Sequence, residues 1–219
     1  PLVDDQFDVE QVKVSDDLNT IFYTGNLSSA VKSLTAHIYS YQIETKKTDI
    51  IYNQNDYSIS SLYLVDGQFI VSATDMKAYG INQNESFYLV ENKKLHFLVT
   101  PEHNIGNSTG TDVRLGGNPK ELVKNSKLFF VATVDDHIEL YTLDKKGLIQ
   151  PEYIFDGSID GLCEINDQFY AVALYRQKLQ EIYHLDLESH AQKQITRFNQ
   201  IIKNEGVDVI EEKLINQSK

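Results

Sequence analysis

The chain has 219 residues, with 32 Asp and Glu against 20 Lys and Arg and a net charge of −12. That balance speaks against a nucleic-acid partner or an anionic membrane surface, because phosphate-bearing surfaces are held by clustered cations. No apolar run approaches the ~18 residues that span a bilayer, and 41% hydrophobic residues is ordinary for a globular domain.

In chain order, the strand-like runs fall into sets of four. The first set is Val9 to Val14, Ile21-Phe22-Tyr23, a run opening at Ile38-Tyr39, and Asp49 to Tyr52. The second is Ile59 to Val65, a run from Phe69, a run from Phe87-Tyr88, and Leu95 to Leu98. The third is Glu121 to Val123, a run from Leu128, a run from Leu140-Tyr141, and Gln150 to Phe155. The fourth is Leu162 to Ile165, a run from Phe169, a run from Ile182-Tyr183, and Gln194-Ile195-Thr196. β-Branched and aromatic residues suit a pleated, half-buried surface. Turn signals separate the first two runs of each set: Asp16 to Asn19, Asp66-Gly67, Asn125-Ser126 and Asn166-Asp167. Asn, Asp and Gly tolerate the left-handed conformations of tight hairpins.

The apolar-Tyr pair is the clearest landmark. Its tyrosines, Tyr39, Tyr88, Tyr141 and Tyr183, stand 49, 53 and 42 residues apart. A period of roughly 40–50 residues built of short strands signals propeller blades. A sandwich would not repeat one strand order around one anchor four times. The expected fold is therefore all-β, a partial β-propeller of about four four-stranded antiparallel blades. The blades are placed at 7–55, 56–100, 119–156 and 157–198, within a propeller unit of 1–199. Ala73, Ala132 and Ala173 recur in the second strand and suit a crowded position near the axis. Helical signal is weak throughout, and 200–219 reads as a tail or linker.

Residues 101–118 break the rhythm and read as an interblade loop rich in Gly and Asn. Long loops in compact domains are often functional. Within this one, Gly106-Asn107-Ser108-Thr109-Gly110 matches the pattern of a nucleophile elbow. An elbow needs a strand before it and a helix after it, and neither flank supplies one, so no catalytic residue is assigned. Asp112 and Arg114, two apart, are the candidate binding residues. An ion pair pinning the loop is the plainer reading of the same two.

The six histidines share no metal-site spacing, so no metal or cofactor is expected. Paired carboxylates (Asp16-Asp17, Asp135-Asp136, Glu211-Glu212) read as solvated charge. Cys163 is the single cysteine. It excludes an internal disulfide and fits a reducing, cytoplasmic compartment. Its apolar neighbours, Leu162 and Ile165, predict a buried structural thiol. The start at Pro1 has neither an initiator Met nor a secretory leader, and reads as trimmed.

The run Asn104 to Gly117 resembles an interblade segment of the acylaminoacyl-peptidase branch of the prolyl oligopeptidase family. Gly157-Ser158-Ile159-Asp160-Gly161, Leu179 to Tyr183 and Lys193 to Asn199 are similar too. Ile195-Thr196-Arg197-Phe198-Asn199 matches a Leu/Ile-Thr-x-x-Asn ending that closes the final blade in that family. The resemblance implies a propeller, usually of seven blades, joined to a C-terminal α/β-hydrolase domain with a Ser-Asp-His triad that cleaves short or N-terminally blocked peptides. Four blades and no hydrolase segment imply a non-catalytic propeller portion of a cytosolic serine peptidase. Its partners would be the peptide substrate and the absent hydrolase domain, toward which 200–219 would lead. A stand-alone interaction scaffold is the alternative, and a propeller enzyme with an axial site is a third reading. An incomplete ring leaves apolar end faces, so self-association of the chain is expected.

Overall fold

The computed structural model describes residues 6–29, 31–78, 80, 83–109, 119–175 and 178–199. These residues form four separate antiparallel sheets, each a meander in chain order. Blade 1 holds β1 (Phe7–Val14), β2 (Thr20–Leu27), β3 (His37–Gln42) and β4 (Lys47–Tyr52). Blade 2 holds β5 (Tyr57–Val65), β6 (Gln68–Asp75), β7 (Ser86–Glu91) and β8 (Lys94–Val99). A two-residue strand, β9 (Asn104–Ile105), precedes β10 (Glu121–Lys124), β11 (Lys127–Val134), β12 (His137–Asp144) and β13 (Ile149–Phe155) of blade 3. Blade 4 holds β14 (Gly157–Ile165), β15 (Gln168–Tyr175), β16 (Glu181–Asp186) and β17 (Ala191–Gln194). The architecture is a four-blade β-propeller with no helix among the described residues.

The apolar-Tyr pair has a packing reason. Adjacent strand residues point to opposite faces, so its two members serve two different interfaces. Ile38 packs toward blade 2, Phe87 toward blade 3 and Leu140 toward blade 4. Tyr88, Tyr141 and Tyr183 pack back toward blades 1, 2 and 3. The apolar member thus faces the next blade and the tyrosine the previous one. In blades 1 to 3 the register between third and fourth strands also shifts between the two members of the pair. This bulge bends the outer edge at the same place each time.

A second bulge recurs on the innermost strand. Register shifts fall between Val9 and Gln11, Ile59 and Ser61, and Ile159 and Gly161, leaving Glu10, Ser60 and Asp160 as the extra residues. Opposite each bulge the second strand carries a small residue: Gly25, Ala73 or Ala173. Blade 3 obeys the same rule in a modified form. Ile105 of β9 pairs with Ala132 of β11, and Glu121 of β10 pairs with Phe130. The chain between β9 and β10 therefore replaces the bulge residue of one split inner strand. The long loop lies inside blade 3's first strand, where the sequence pattern puts it between blades, because the strand signal of Asn104–Ile105 is too short to read.

Three apolar clusters hold the blades, one per junction: blades 1 and 2, 2 and 3, 3 and 4. Among the described residues no cluster joins blade 4 to blade 1, so the outer faces of both are open. On blade 1, Val9, Val12, Val14 and Ile50 are exposed around a Phe7–Tyr23–Tyr39 ring cluster. On blade 4 the open face carries Cys163, which is exposed rather than buried. The predicted buried thiol is corrected by strand alternation. Leu162 takes the side facing blade 3, which leaves Cys163 on the side that no other blade covers among the described residues.

Candidate functional site

The blades present two unlike ends. At one end lie the turns between first and second strands and between third and fourth strands. At the other lie the ends of the second strands, the starts of the first and third strands, and the turn 106–109 after β9. This loop end holds the candidate site.

A groove of about 760 Å³ runs along the inner strands, lined by Val9, Gln11, Lys13, Ser60, Ser61 and Glu121 among others. Gln11 bridges its first two walls. Its Nε2 donates to the Ser60 carbonyl, and its Oε1 accepts the Leu62 N–H at 2.9 Å. At the equivalent place in blade 4 the Leu162 N–H donates to the Pro119 carbonyl at 2.8 Å. The inner strands are thus laced to each other, and their bulge residues sit at the loop end.

The insertion begins with a built turn. The Gly106 N–H donates to the Val131 carbonyl at 2.7 Å, continuing the edge of β11. The Thr133 hydroxyl donates to the Gly106 carbonyl at 2.9 Å and accepts from both the N–H and the Oγ of Ser108, each at 2.9 Å. Ser108 is therefore a structural residue of the turn. Among the described residues its hydroxyl donates to Thr133 Oγ1. Asp112 and Arg114 lie outside the described residues.

Asn107 is the residue that sequence reasoning passed over. Its Oδ1 accepts from the Thr109 N–H (3.1 Å) and hydroxyl (2.6 Å). A backbone N–H can only donate, which fixes the orientation of the amide. Its Nδ2 then points across the blade junction at Ser158 Oγ (2.6 Å), the Ile159 carbonyl (2.8 Å) and Asp160 Oδ1 (3.0 Å). Asp160, the bulge residue of β14, is 1% exposed. Its other oxygen accepts from Gln180 Nε2 at 2.6 Å. An aspartate inside the otherwise apolar run Ile159–Leu162 was the signal available for it.

A second carboxylate anchors the end of blade 4. Glu181, 5% exposed, accepts from the Thr196 hydroxyl, the Phe198 N–H (3.1 Å) and the Asn199 N–H (2.9 Å). Burial pushes its carboxyl up, but these donors outweigh burial and hold it below the ordinary glutamate range. Thr196 and Asn199 of the closing motif thus gain a physical role, since both tie the chain to Glu181. Related residues recur in other blades: His37 meets Asn55 at 2.9 Å and Ser86 meets Thr100 at 2.7 Å. In blade 3, His137 lies between Glu139 (3.2 Å) and Asp136 (3.3 Å). Burial lowers its pKa, yet the two carboxylates prevail and raise it. Among the described residues no three His, Cys, Asp or Glu side chains converge as metal ligands.

No family model and no curated protein matches the chain. Solved structures do. Puromycin hydrolase overlays with a TM-score of 0.60 at 13% identity, covering 85% of this chain and 28% of that one. An acylaminoacyl peptidase in complex with Z-Gly-Gly-Phe-chloromethyl ketone gives 0.59 at 12% identity, covering 90% and 28%. The chain shares the propeller fold of prolyl oligopeptidase family peptidases. Oligogalacturonate lyase in complex with manganese also overlays, with a TM-score of 0.65 at 9% identity, covering 90% of this chain and 55% of that one. The propeller described here spans between about a quarter and about half of the length of these neighbours. At such identities the likeness is one of fold.

Proposed function

We propose that this chain is the non-catalytic propeller portion of a cytoplasmic peptidase of the prolyl oligopeptidase type. It would govern the access of short or N-terminally blocked peptides to an α/β-hydrolase domain. The observation that carries this reading is the coverage: 85–90% of the chain overlays on peptidases of which it spans 28%. In support, the Ser108 hydroxyl is engaged by Thr133, and the described residues of the loop end form structural clamps around Asp160 and Glu181. In such an enzyme a propeller shares water exclusion and substrate closure with the hydrolase. Its open faces on blades 1 and 4 would meet further blades. Asp112 and Arg114 remain the proposed polar contacts of the insertion, and one unpaired cysteine is what supports the cytoplasmic assignment.

The lyase likeness raises a second reading, an axial carbohydrate site. The groove is lined by both signs of charge, and a net charge of −12 suits an acidic sugar poorly. The peptidase reading is preferred on that ground.

The test uses the chain alone, measured for hydrolysis of acetyl-alanyl-p-nitroanilide, for labelling by a fluorophosphonate, and for mass by sedimentation. No turnover, no label and self-association through the open faces are expected. Turnover together with label on Ser108, both abolished in Ser108→Ala, would sink the reading. A monodisperse monomer would remove the association.

A further inference from the structure

The two carboxylate clamps are joined. Asn107 donates to Asp160 at 3.0 Å, and Gln180 Nε2 donates to the other oxygen of the same carboxylate at 2.6 Å. The Gln180 carbonyl in turn accepts from Asn199 Nδ2 at 2.7 Å. Asn199 then donates its N–H to Glu181 at 2.9 Å, beside Phe198 and Thr196. One continuous path thus runs from the first turn of the insertion in blade 3 to the last described residues of blade 4. Its middle is enclosed: Ser158, Asp160, Gln180 and Glu181 are all buried.

We infer that Asp160 couples the start of the insertion to the segment Thr196–Asn199, so that a change at Asn107 is felt where the chain leaves blade 4. The physical reason is the shared acceptor. A buried carboxylate must keep its donors or be rehydrated. Loss of the Asn107 donor leaves Ser158 Oγ on the same oxygen at 3.3 Å and Gln180 on the other, and of these two it is Gln180 that reaches on to Asn199. Gln180 also carries, on its own backbone, the carbonyl that positions Asn199. Two segments more than 85 residues apart in sequence are thereby set by one group. Isolated clamps would need no such shared partner. This goes beyond the peptidase reading and does not rest on it.

Amide hydrogen exchange tests the coupling in both directions, because equilibrium coupling is reciprocal. Asn107→Ala is expected to speed exchange at the Phe198 and Asn199 amides about fivefold, the size of one ordinary hydrogen bond. Gln180→Ala, read from the other side, is expected to speed exchange at the Thr109 amide by a similar factor. Ser108→Ala, which touches Thr133 and not the path, is the control and leaves 198–199 unchanged. Exchange confined to each mutated neighbourhood in both variants would overturn the inference. So would an equal rise at 198–199 in the control. If Asn107→Ala does not fold, the Gln180→Ala arm decides alone.

Discussion

The two ends of the propeller solve the same problem, reversing a strand, by different physics. At the turn end the answer is local. Asp66-Gly67, Asn92-Lys93, Asn125-Ser126 and Asn166-Asp167 each hold two successive residues at positive φ, the signature of type I′ hairpins. Such a turn is specified by its own two residues and is dressed with exposed ion pairs. At the loop end the answer is largely non-local, the two-residue Asp135-Asp136 turn between β11 and β12 being a local exception. Strands are closed there by bulges, by glycines that let one backbone touch another, and by buried carboxylates that gather donors from distant segments. An end built from local rules tolerates change, whereas an end built from shared partners does not.

Two glycines offer the sharpest contrast and the largest expected effect. Gly157 opens β14 at the loop end, and a Cβ there would meet the Leu174 carbonyl oxygen at 2.0 Å. Gly25 stands equally close to Asp8 in blade 1, at 2.1 Å. Neither obstacle is a flexible side chain, so the sheet itself must shift. Gly67 sits in a turn with φ near +72° and nothing within 4 Å. Gly157→Ala is expected to destabilise by about 3 kcal/mol or more, and Gly67→Ala by only about 1 kcal/mol, the cost of left-handed backbone alone. Urea midpoints for the two variants measure the difference. Equal losses would erase the distinction between the ends.

The same distinction explains what the sequence made legible. The tyrosine repeat and the Asn/Asp/Gly turns could be read directly, because each depends on neighbours within a hairpin. The clamp between Asn107 and Asp160 could not, because 53 residues separate the partners. The insertion point needed the register of Ile105 on Ala132, and two residues carry too little periodicity to announce it. Cys163 looked buried because its neighbours are apolar, and only the absence of a blade on its side exposes it. Thr196 and Asn199 stood out as a motif, but their job became visible only with Glu181 beside them.

Glu181 gives the next effect in size. Glu181→Ala would strand the N–H groups of Phe198 and Asn199 and the Thr196 hydroxyl, at a cost of about 2–3 kcal/mol. Its pH dependence has a definite sign. The folded carboxyl titrates below its ordinary value of 4.5, so the clamp is intact above that value and is lost as pH falls through the lowered one. Thermal unfolding of the parent should therefore weaken between neutral pH and pH values below about 4 more steeply than that of Glu181→Ala. Parallel curves would mean that the clamp contributes nothing in solution. His137 runs the opposite way. Its pKa is raised by Glu139 and Asp136, so what it adds is present below 6.5 and fades as pH rises through the raised value. The two groups can thus be told apart in one titration.

The smallest effect belongs to the turn end. Lys124 reaches Asp167 at 2.6 Å and Glu164 at 2.9 Å, joining blade 3 to blade 4. These charges lower both carboxyl pKa values and raise that of the lysine. Lys124 is largely covered, but Asp167 is open to water, and a pair solvated on one side gains little over water and loses that little to salt. Lys124→Met keeps an apolar stem and removes the ammonium, whose Nζ lies 5.8 Å from the Phe169 ring centre. The expected change in melting temperature is small at low salt and disappears near 1 M NaCl. A large, salt-independent loss would show that the turn end also relies on buried, shared partners, and the contrast between the two ends would then be one of degree.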